Sequence, residues 1–301
     1  MKPPYMSKAA FHLIKTGLIK TGLTKTRLIK TCLLIWLVSL LPAALKADQP
    51  PVLLQSTTST LNSGLYDYIL PRFFEETGIE VRVVAVGSGQ ALRNAANCDG
   101  DAVLAHAPED ETAFMESGFG LARLPVMENR FVLLGPGADP AGIRKADTAE
   151  DALRRIADAQ VRFFSRGDDS GTHQRERRLW AAAGITPESL NSRWYLEAGQ
   201  GMGASINLAV QLDAYLLSDI STWLAFGNQA GHKLLYARTE AALNNRYSII
   251  TLNPAHCPTV NHDGAGRFAD WLTSTDGQAH IASFQLDGQQ MFTPAARRPA
   301  P

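Results

Sequence analysis

The chain has few cysteines, three among its 301 residues. Cys98 and Cys257 follow the N-terminal segment, and neither lies in a CxxC pair or near a histidine cluster. Zinc sites made of cysteine and histidine need such closely spaced ligands. A P-loop, a dinucleotide-binding fingerprint and the G-x-S-x-G turn of serine hydrolases are also missing. We therefore expect no resident metal and no cofactor.

An excess of basic charge is missing from most of the chain. Residues 1–47 hold eight Lys and Arg side chains and no acid, which leaves 21 basic and 29 acidic side chains in residues 48–301, a net charge of −8. Nucleic-acid binding depends on a basic face, so we expect no nucleic-acid partner. An apolar content of 45% also excludes a disordered chain. The 254 residues beyond residue 47 are enough for one large domain or two smaller ones.

The N-terminal apolar run, Cys32–Leu41, is shorter than the roughly 20 residues that a bilayer-spanning helix needs. Basic residues precede this run, and small residues follow it as far as Ala47. This order is typical of a secretory signal, so residues 1–47 are predicted to be a signal peptide that is cleaved after Ala47. A membrane anchor that is retained is the alternative.

Beyond residue 48, predicted strands alternate with predicted helices. The strands are Val52–Gln55, Val81–Val86, Ala102–Ala105, Arg130–Leu134, Val161–Phe164, Trp194–Leu196 and Tyr247–Leu252. This alternation predicts an α/β fold with mostly parallel sheets flanked by helices. Residues 135–140 are rich in Gly and Pro and resemble a linker, after which the pattern restarts. We expect two lobes with a cleft, lobe 1 from residues 48–134 and 247–301 and lobe 2 from residues 135–246.

Three expectations concern the ends of helices. Pro71 is expected to begin a second helical piece, which Gly78 ends. Thr148 is expected to cap the amphipathic helix over residues 148–159. A helix is predicted over Ala204–Leu217, directly after a glycine-rich loop.

Three segments share one design, in which an apolar strand leads through small hydroxyl or glycine residues to a helix start. They are Thr57-Thr58-Ser59, Gly87-Ser88-Gly89 and Ser170-Gly171-Thr172, and Arg166 lies just before the third. A helix start offers unpaired N–H groups and partial positive charge, and hydroxyls add further donors. The three segments together indicate a site for a compact anion. Any one of them alone is more typical of a simple helix cap.

A catalytic interpretation competes at the third segment. A serine hydrolase needs a nucleophile, a base and an acid, and these residue types are present here as Ser170, His173 and either Asp168 or Asp169. Their contiguity argues against that arrangement, because the triads of known hydrolases bring together distant positions. A secreted Ser/His hydrolase is therefore the weaker alternative.

Six ordered runs carry a resemblance to a known family: STTSTLNSGLYDYILPRFFEETG, VRVVAVGSGQAL, DAVLAHAPEDE, VMENRFVLLGPGADPAGI, SRGDDSGTH and GQGMG. With them, the chain resembles the tungstate-binding proteins of ABC uptake systems, which are type II periplasmic binding proteins. The resemblance begins at about Leu53 and implies a two-lobe α/β clamp joined by two crossing strands. It also implies a periplasmic protein that captures tungstate or molybdate and delivers the anion to the permease of an ABC transporter. We expect a monomer.

The resemblance also implies which residues hold the anion. They are Thr57, Thr58, Ser59, Ser88, Arg166, Ser170, Gly171 and Thr172. The chain departs from the family pattern at three places. Ser56 replaces the usual threonine, residues 128–130 read Glu-Asn-Arg, and residues 219–222 lack the usual arginine. None of these departures removes a predicted anion donor.

Phosphate and sulfate remain alternative ligands. Phosphate carries a proton at neutral pH, so a selective phosphate site benefits from a buried carboxylate acceptor, whereas tungstate, molybdate and sulfate need donors only. Asp168 and Asp169 leave this question open at the sequence level. We expect Asp169 to be a helix N-cap and Asp168 to be a partner of Arg166.

Cys98 and Cys257 are candidates for a disulfide. In the fold that the resemblance implies, the strand returning from the second lobe runs antiparallel to the third strand. The exit of the returning strand then lies beside the entrance of the third, which would bring the two cysteines together. Two buried free thiols are the alternative.

Overall fold

The computed structural model describes residues 49–186 and 193–296. The predicted signal peptide, residues 1–47, lies outside these residues. None of the helices in the described part is long and apolar enough to cross a membrane.

The strands are β1 (Val52–Thr57), β2 (Val81–Val86), β3 (Ala102–Ala105), β4 (Gly120–Pro136), β5 (Phe163–Ser165), β6 (Tyr195–Glu197), β7 (Leu216–Asp219), β8 (His232–Tyr236), β9 (Asn244–Leu252), β10 (Gln285–Leu286), β11 (Gln289–Gln290) and β12 (Thr293–Pro294). The helices are α1 (Thr58–Asn62), α2 (Leu65–Thr77), α3 (Ser88–Ala96), α4 (Pro108–Glu116), α5 (Ala149–Ala159), α6 (Gly171–Ala182), α7 (Met202–Leu212), α8 (Ile220–Ala225), α9 (His262–Thr273) and α10 (Thr275–Ser283).

The first lobe is formed by strands β1, β2, β3 and β9 and the first part of β4, with their helices. β1 is parallel to β2, with Thr57 opposite Val86, and parallel to β3 on its other side. β9 is antiparallel to β3, with Ser248 opposite Ala105. The carboxyl ends of β1, β2 and β3 therefore meet at one edge of the sheet, the edge at which α/β folds bind ligands.

The second lobe is formed by the last part of β4 with β5, β6, β7 and β8. β4 pairs with β9 as far as Arg130, and from Phe131 onward it pairs with β7 and then β8. β5 and β6 are parallel to each other, and Phe163 bridges to Tyr215 in the same sense. β4 is thus shared by the strands of both lobes in one mixed sheet, with β9 beside its first part, and the predicted two-lobe α/β fold is confirmed.

Each lobe buries apolar side chains on both faces of its sheet. In β4, Phe131 and Leu133 lie in one buried cluster and Val132 and Leu134 in another. This alternation is the two-residue period of a strand that is covered on both sides. Two further clusters cover the first lobe in the same way. The rigid cores fix the loops at the strand ends, where the polar segments lie.

Two helix predictions were wrong. Pro71 lies inside the continuous helix α2 and does not begin a new piece. The buried residues Leu65, Ile69 and Phe73, spaced four apart, hold this helix together by tertiary packing, which outweighs the lost backbone hydrogen bond. The helix predicted over Ala204–Leu217 ends at Leu212, and its last residues belong to β7. A short apolar run does not distinguish a buried strand from a helix by its period.

The strand predicted over Arg130–Leu134 is the central part of the 17-residue strand β4. Its first half was missed because the polar residues and Pro125 there break the usual strand pattern. The pairing with β9 shifts register between Pro125 and Met127, and such an irregularity accommodates a proline that lacks an N–H donor. The predictions that Gly78 ends α2 and that Thr148 caps α5 are confirmed.

Cys98 and Cys257 form a disulfide in the structure, with their Cα atoms 5.5 Å apart. Cys98 lies before the start of β3, and Cys257 follows the end of β9. Because Ala102 pairs with Thr251, these two points adjoin at the edge opposite the carboxyl ends of β1 and β2. The bond therefore joins two parts of the first lobe, away from the polar strand ends.

Candidate functional site

The predicted polar segments begin three helices that follow strands. Thr58 begins α1 directly after β1, and Ser88 begins α3 after β2. These two starts lie side by side because Thr57 and Val86 are opposite each other in the parallel pair. In the second lobe, α6 begins at Gly171 after the loop that follows β5.

Arg166 links the second lobe to the first. Its side chain is only 1% exposed. Nη1 lies 3.3 Å from Ser59 Oγ and 3.5 Å from Thr172 Oγ1, and Nη2 lies 3.4 Å from Thr58 Oγ1. The guanidinium thus brings together hydroxyls of α1 and α6 in a space shielded from solvent. Three of the predicted hydroxyl donors and the predicted cation therefore converge.

Ser88 Oγ and Arg166 Nε are buried and have no hydrogen-bond partner among the described residues. Buried polar atoms without partners are rare in proteins because losing the hydrogen bonds of water is costly. Both atoms can donate a hydrogen bond. They are the donors that an anion at this position would satisfy.

Gly171 allows α6 to approach the first lobe closely. A Cβ atom at this position would lie 2.6 Å from the backbone oxygen of His106 and 3.1 Å from Ser88 Oγ. No side chain fits at the first distance without a backbone shift. The start of α6, with its free N–H groups, is thereby held next to Ser88.

The two remaining predicted residues are helix caps. Thr57 Oγ1 accepts the backbone N–H of Thr60 at 3.3 Å, and Ser170 Oγ accepts that of His173 at 3.2 Å. A hydroxyl that accepts in a cap still has its own hydrogen to donate. Capping therefore does not prevent Thr57 and Ser170 from contributing to a site.

The two aspartates have different partners. Asp168 Oδ2 bonds Arg166 Nη2, and Asp168 Oδ1 accepts the N–H of Ser170 at 3.2 Å, so the predicted Asp168–Arg166 pair is confirmed. Asp169 was wrongly predicted as the N-cap of α6, because Ser170 is the cap. Asp169 adopts a left-handed backbone with φ of 54°, which turns its carboxylate outward, 3.4 Å from Arg93.

The hydrolase interpretation has no support in this geometry. Ser170 Oγ accepts the backbone N–H of His173 and not a ring nitrogen. His173 Nδ1 accepts the N–H of Asp169 at 3.1 Å, and Nε2 faces Glu197 at 3.9 Å. The imidazole is thus directed away from the serine that it would have to activate.

Three residues of the site were not predicted from the sequence. Gly201, before α7, lies so close to Thr58 that a Cβ there would be 3.2 Å from Thr58 Oγ1. Thr222 Oγ1 donates to the backbone oxygen of Ser59 at 3.1 Å and connects α8 to α1. His106 is the third, and its backbone oxygen lies next to Gly171. Only Gly201 carried a signal, the glycine-rich loop before a helix.

His106 is buried between the lobes. Its Nδ1 is 2.9 Å from Asn245 Oδ1, whereas its Nε2 has no hydrogen-bond partner among the described residues. Burial lowers the pKa of His106 to about 4, and the nearby Asp219 carboxylate offsets only part of this effect. The ring is neutral at pH 7 and adds no charge.

Polar contacts also join the rims of the two lobes. Arg93 faces Asp169 at 3.4 Å, Gln174 Nε2 donates to Asp110 at 2.6 Å, and Arg178 pairs with Glu109 at 2.8 Å. In each contact, one partner belongs to the first lobe and the other to α6 or the loop before it. These contacts hold α6 against the first lobe, over the polar strand ends.

A two-lobe α/β fold with polar helix starts facing its cleft defines a class of binding proteins. The family model of the PBP superfamily domain matches residues 44–276, and the chain belongs to this family.

Its relatives include named binding proteins. The tungstate-binding protein TupA of Peptoclostridium acidaminophilum is 39% identical over 251 residues, which are 82% of this chain and 86% of that protein. A solved tungstate-binding protein, TupA from Desulfovibrio alaskensis G20, is 43% identical, with a TM-score of 0.69 and coverage of 82% and 100% of the two chains. The tungstate ABC transporter structure from Geobacter sulfurreducens is 41% identical, with a TM-score of 0.72 and coverage of 79% and 100%.

Proposed function

We propose that this chain is a solute-binding protein that captures a tetrahedral oxyanion, tungstate or molybdate, for an ABC importer. The observation that carries the proposal is the buried guanidinium of Arg166 among hydroxyls from both lobes. Relatives that are named tungstate-binding proteins support the same class of ligand, a tetrahedral oxyanion.

The proposed site consists of the residues predicted from the sequence. They are Thr57, Thr58, Ser59, Ser88, Arg166, Ser170, Gly171 and Thr172. Hydroxyls, a forked cation and the N–H groups of helix starts are all donors, which suits an anion without protons. Residues 48–301 have a net charge of −8, so capture would depend on these oriented groups and not on a general basic field.

The hydrogen-bond partners of Asp168 favour a fully ionised anion over phosphate. Both oxygens of its carboxylate are already engaged, one by Arg166 and the other by the N–H of Ser170. Asp169 points outward to Arg93. Asp168 is thus committed to its pair with Arg166 and Asp169 points away, so neither carboxylate is held as a dedicated acceptor for the proton of hydrogen phosphate, and a carboxylate that faces the ligand would repel tungstate.

Nanomolar affinity is within reach of such a site. A hydrogen bond to a charged group contributes roughly 1.5–3 kcal/mol, so about seven donors give on the order of 10–20 kcal/mol before the costs of ordering and lobe closure. A Kd of 1 nM corresponds to about −12 kcal/mol. Because both lobes supply donors, binding would favour the closed arrangement, which a permease distinguishes from the empty protein.

The cellular setting is part of the proposal. Residues 1–47 would direct export and be removed, and the rest would act in the periplasm as a monomer that delivers the anion to a membrane permease. The lobes would comprise residues 48–134 with 247–301, and residues 135–246. The similar structure from Geobacter sulfurreducens, described as a tungstate ABC transporter, supports the transporter partner.

Replacement of the central cation tests the proposal. We predict that Arg166→Ala lowers tungstate affinity at least tenfold in a calorimetric titration, because a dianion then loses its one forked cation. Arg162→Ala is the matched control, since Arg162 lies one residue before β5 and its side chain is exposed, with Nη1 donating to Leu212 O. Equal tungstate affinities of the Arg166→Ala and Arg162→Ala variants would contradict the site.

A further inference from the structure

A second polar cavity lies between the lobes, beside the proposed site. It has a volume of about 330 Å³, and its lining includes His106, Glu109, Gly171, Arg175, Arg178 and Arg246. Gly171 also begins the helix start that faces Ser88. The cavity therefore adjoins the proposed oxyanion site without being part of it.

The lining of this cavity carries more positive than negative charge. Arg175 and Arg178 lie one turn apart on α6, so their like charges are held close together. Glu109 is the carboxylate among the residues that line the cavity, and it pairs with Arg178 at 2.8 Å. Arg246 is 69% exposed and faces Glu128 at 3.7 Å. No carboxylate in the cavity lining is therefore left to pair with Arg175.

Two donors of the lining are unsatisfied. The Nε atoms of Arg175 and Arg178 are buried and have no hydrogen-bond partner among the described residues. Nε2 of His106 is also buried and has no partner among the described residues, but it has no hydrogen to donate, because Nδ1 is the donor to Asn245 Oδ1 in the neutral ring. Burial and the charge of Arg178 both lower the pKa of Arg175, which means that its positive charge is under-compensated in this environment. An anion would relieve both the repulsion and the missing hydrogen bonds.

We propose that this cavity is a second binding site for a tetrahedral oxyanion, held by Arg175 and Arg178 and bordered by His106. This goes beyond the proposed function, which requires one site only. The second site is weaker than the first because exposure of its mouth screens the guanidinium charges. It concentrates oxyanions beside the first site, although residues 48–301 carry a net charge of −8, which repels them.

Crystals soaked in sodium tungstate locate the anions directly from the anomalous scattering of tungsten. We expect two tungsten peaks, one next to Arg166 and one in the cavity beside Arg175. The Arg166→Ala variant should lose the first peak and keep the second. A map with a peak at Arg166 and none in the cavity would overturn the second site and leave the proposed function intact.

Variants in solution provide a second test by calorimetric titration with tungstate. Arg175→Gln should weaken the second site at least tenfold and leave the tight site within twofold. Glu109→Gln should strengthen the second site at least threefold, a gain that misfolding does not produce. Arg177→Gln removes a cation from the exposed side of the same helix and should change neither site.

Two outcomes in solution would refute the second site. One is a cavity peak in the crystal with a single site in solution, which would mean an adventitious ion only. The other is a second site whose affinity Arg175→Gln and Glu109→Gln leave unchanged. If the titration of the wild-type protein shows the weaker site but no tight site, this result would instead contradict the proposed function.

Discussion

Ser88→Ala separates a ligand-binding hydroxyl from a structural one. Ser88 Oγ is buried and has no hydrogen-bond partner among the described residues, so the folded protein gains nothing from it in the absence of a ligand. Removing such an atom leaves stability unchanged or raises it slightly. A bound oxyanion, in contrast, would lose one donor to a buried charge.

The expected magnitudes differ clearly between the two roles. The loss of a hydrogen bond to a charged group costs about 1–3 kcal/mol, which corresponds to a roughly 5- to 150-fold higher Kd for tungstate. Ser274 is the matched control, because its Oγ caps α10 by accepting the N–H of Gly277 at 3.0 Å. Ser274→Ala should cost about 1 kcal/mol of stability, a fall of roughly 2–4 °C in melting temperature, with tungstate affinity unchanged.

The assay combines thermal unfolding of the ligand-free protein with calorimetric titration of tungstate for both variants. Ser88→Ala should retain the melting temperature and lose affinity, and Ser274→Ala should do the reverse. If Ser88→Ala lowers the melting temperature while its Kd stays that of the wild type, Ser88 is a structural residue and the reasoning fails.

Two further predictions concern the folding stability of the protein. Replacing both cysteines, Cys98→Ala with Cys257→Ala, should lower the free energy of unfolding by up to about 5 kcal/mol on the chain-entropy model for a separation of 159 residues. Tungstate affinity should survive, because the bond lies within the first lobe; a lost binding isotherm would contradict this. Burial raises the pKa of Glu176 to about 8. The folded state therefore keeps a proton that the unfolded chain has released, and between about pH 5.5 and 7 this group should lower stability by about 1.4 kcal/mol per pH unit. Glu176→Gln should remove that slope in unfolding curves measured across this range, and parallel curves for variant and wild type would contradict it.

The sequence was most informative where local patterns and tertiary structure agree. β2 and β3 have the predicted bounds, and Gly78 ends α2 in the left-handed conformation that glycine adopts easily. It was least informative where packing outweighs a local preference, as at Pro71 inside α2. The strand β7 was also missed, because its apolar residues continue the pattern of the helix before it.

The site was predicted in outline but not in its pairings. The hydroxyl segments were visible because small polar residues follow apolar strands, and the resemblance added their roles. The approach of Gly201 to Thr58 depends on how the lobes meet, which no local pattern records. The same holds for the outward turn of Asp169, because it follows from the positive φ of one residue. The unpartnered nitrogens of His106 and Arg175 appear only when both lobes are in place.

The ligand class is the central claim, and a calorimetric titration of the purified wild-type protein with four anions tests it most directly. Tungstate and molybdate should each fill one tight site, with a Kd in the nanomolar range. Phosphate should bind at least a hundredfold more weakly, because Asp168 is held in its pair with Arg166 and Asp169 points away, which leaves no dedicated acceptor for the phosphate proton. Sulfate, which also lacks a proton, measures how much the size of the anion matters. Phosphate binding as tight as that of tungstate, or no tight site for any of the four anions, would contradict the account.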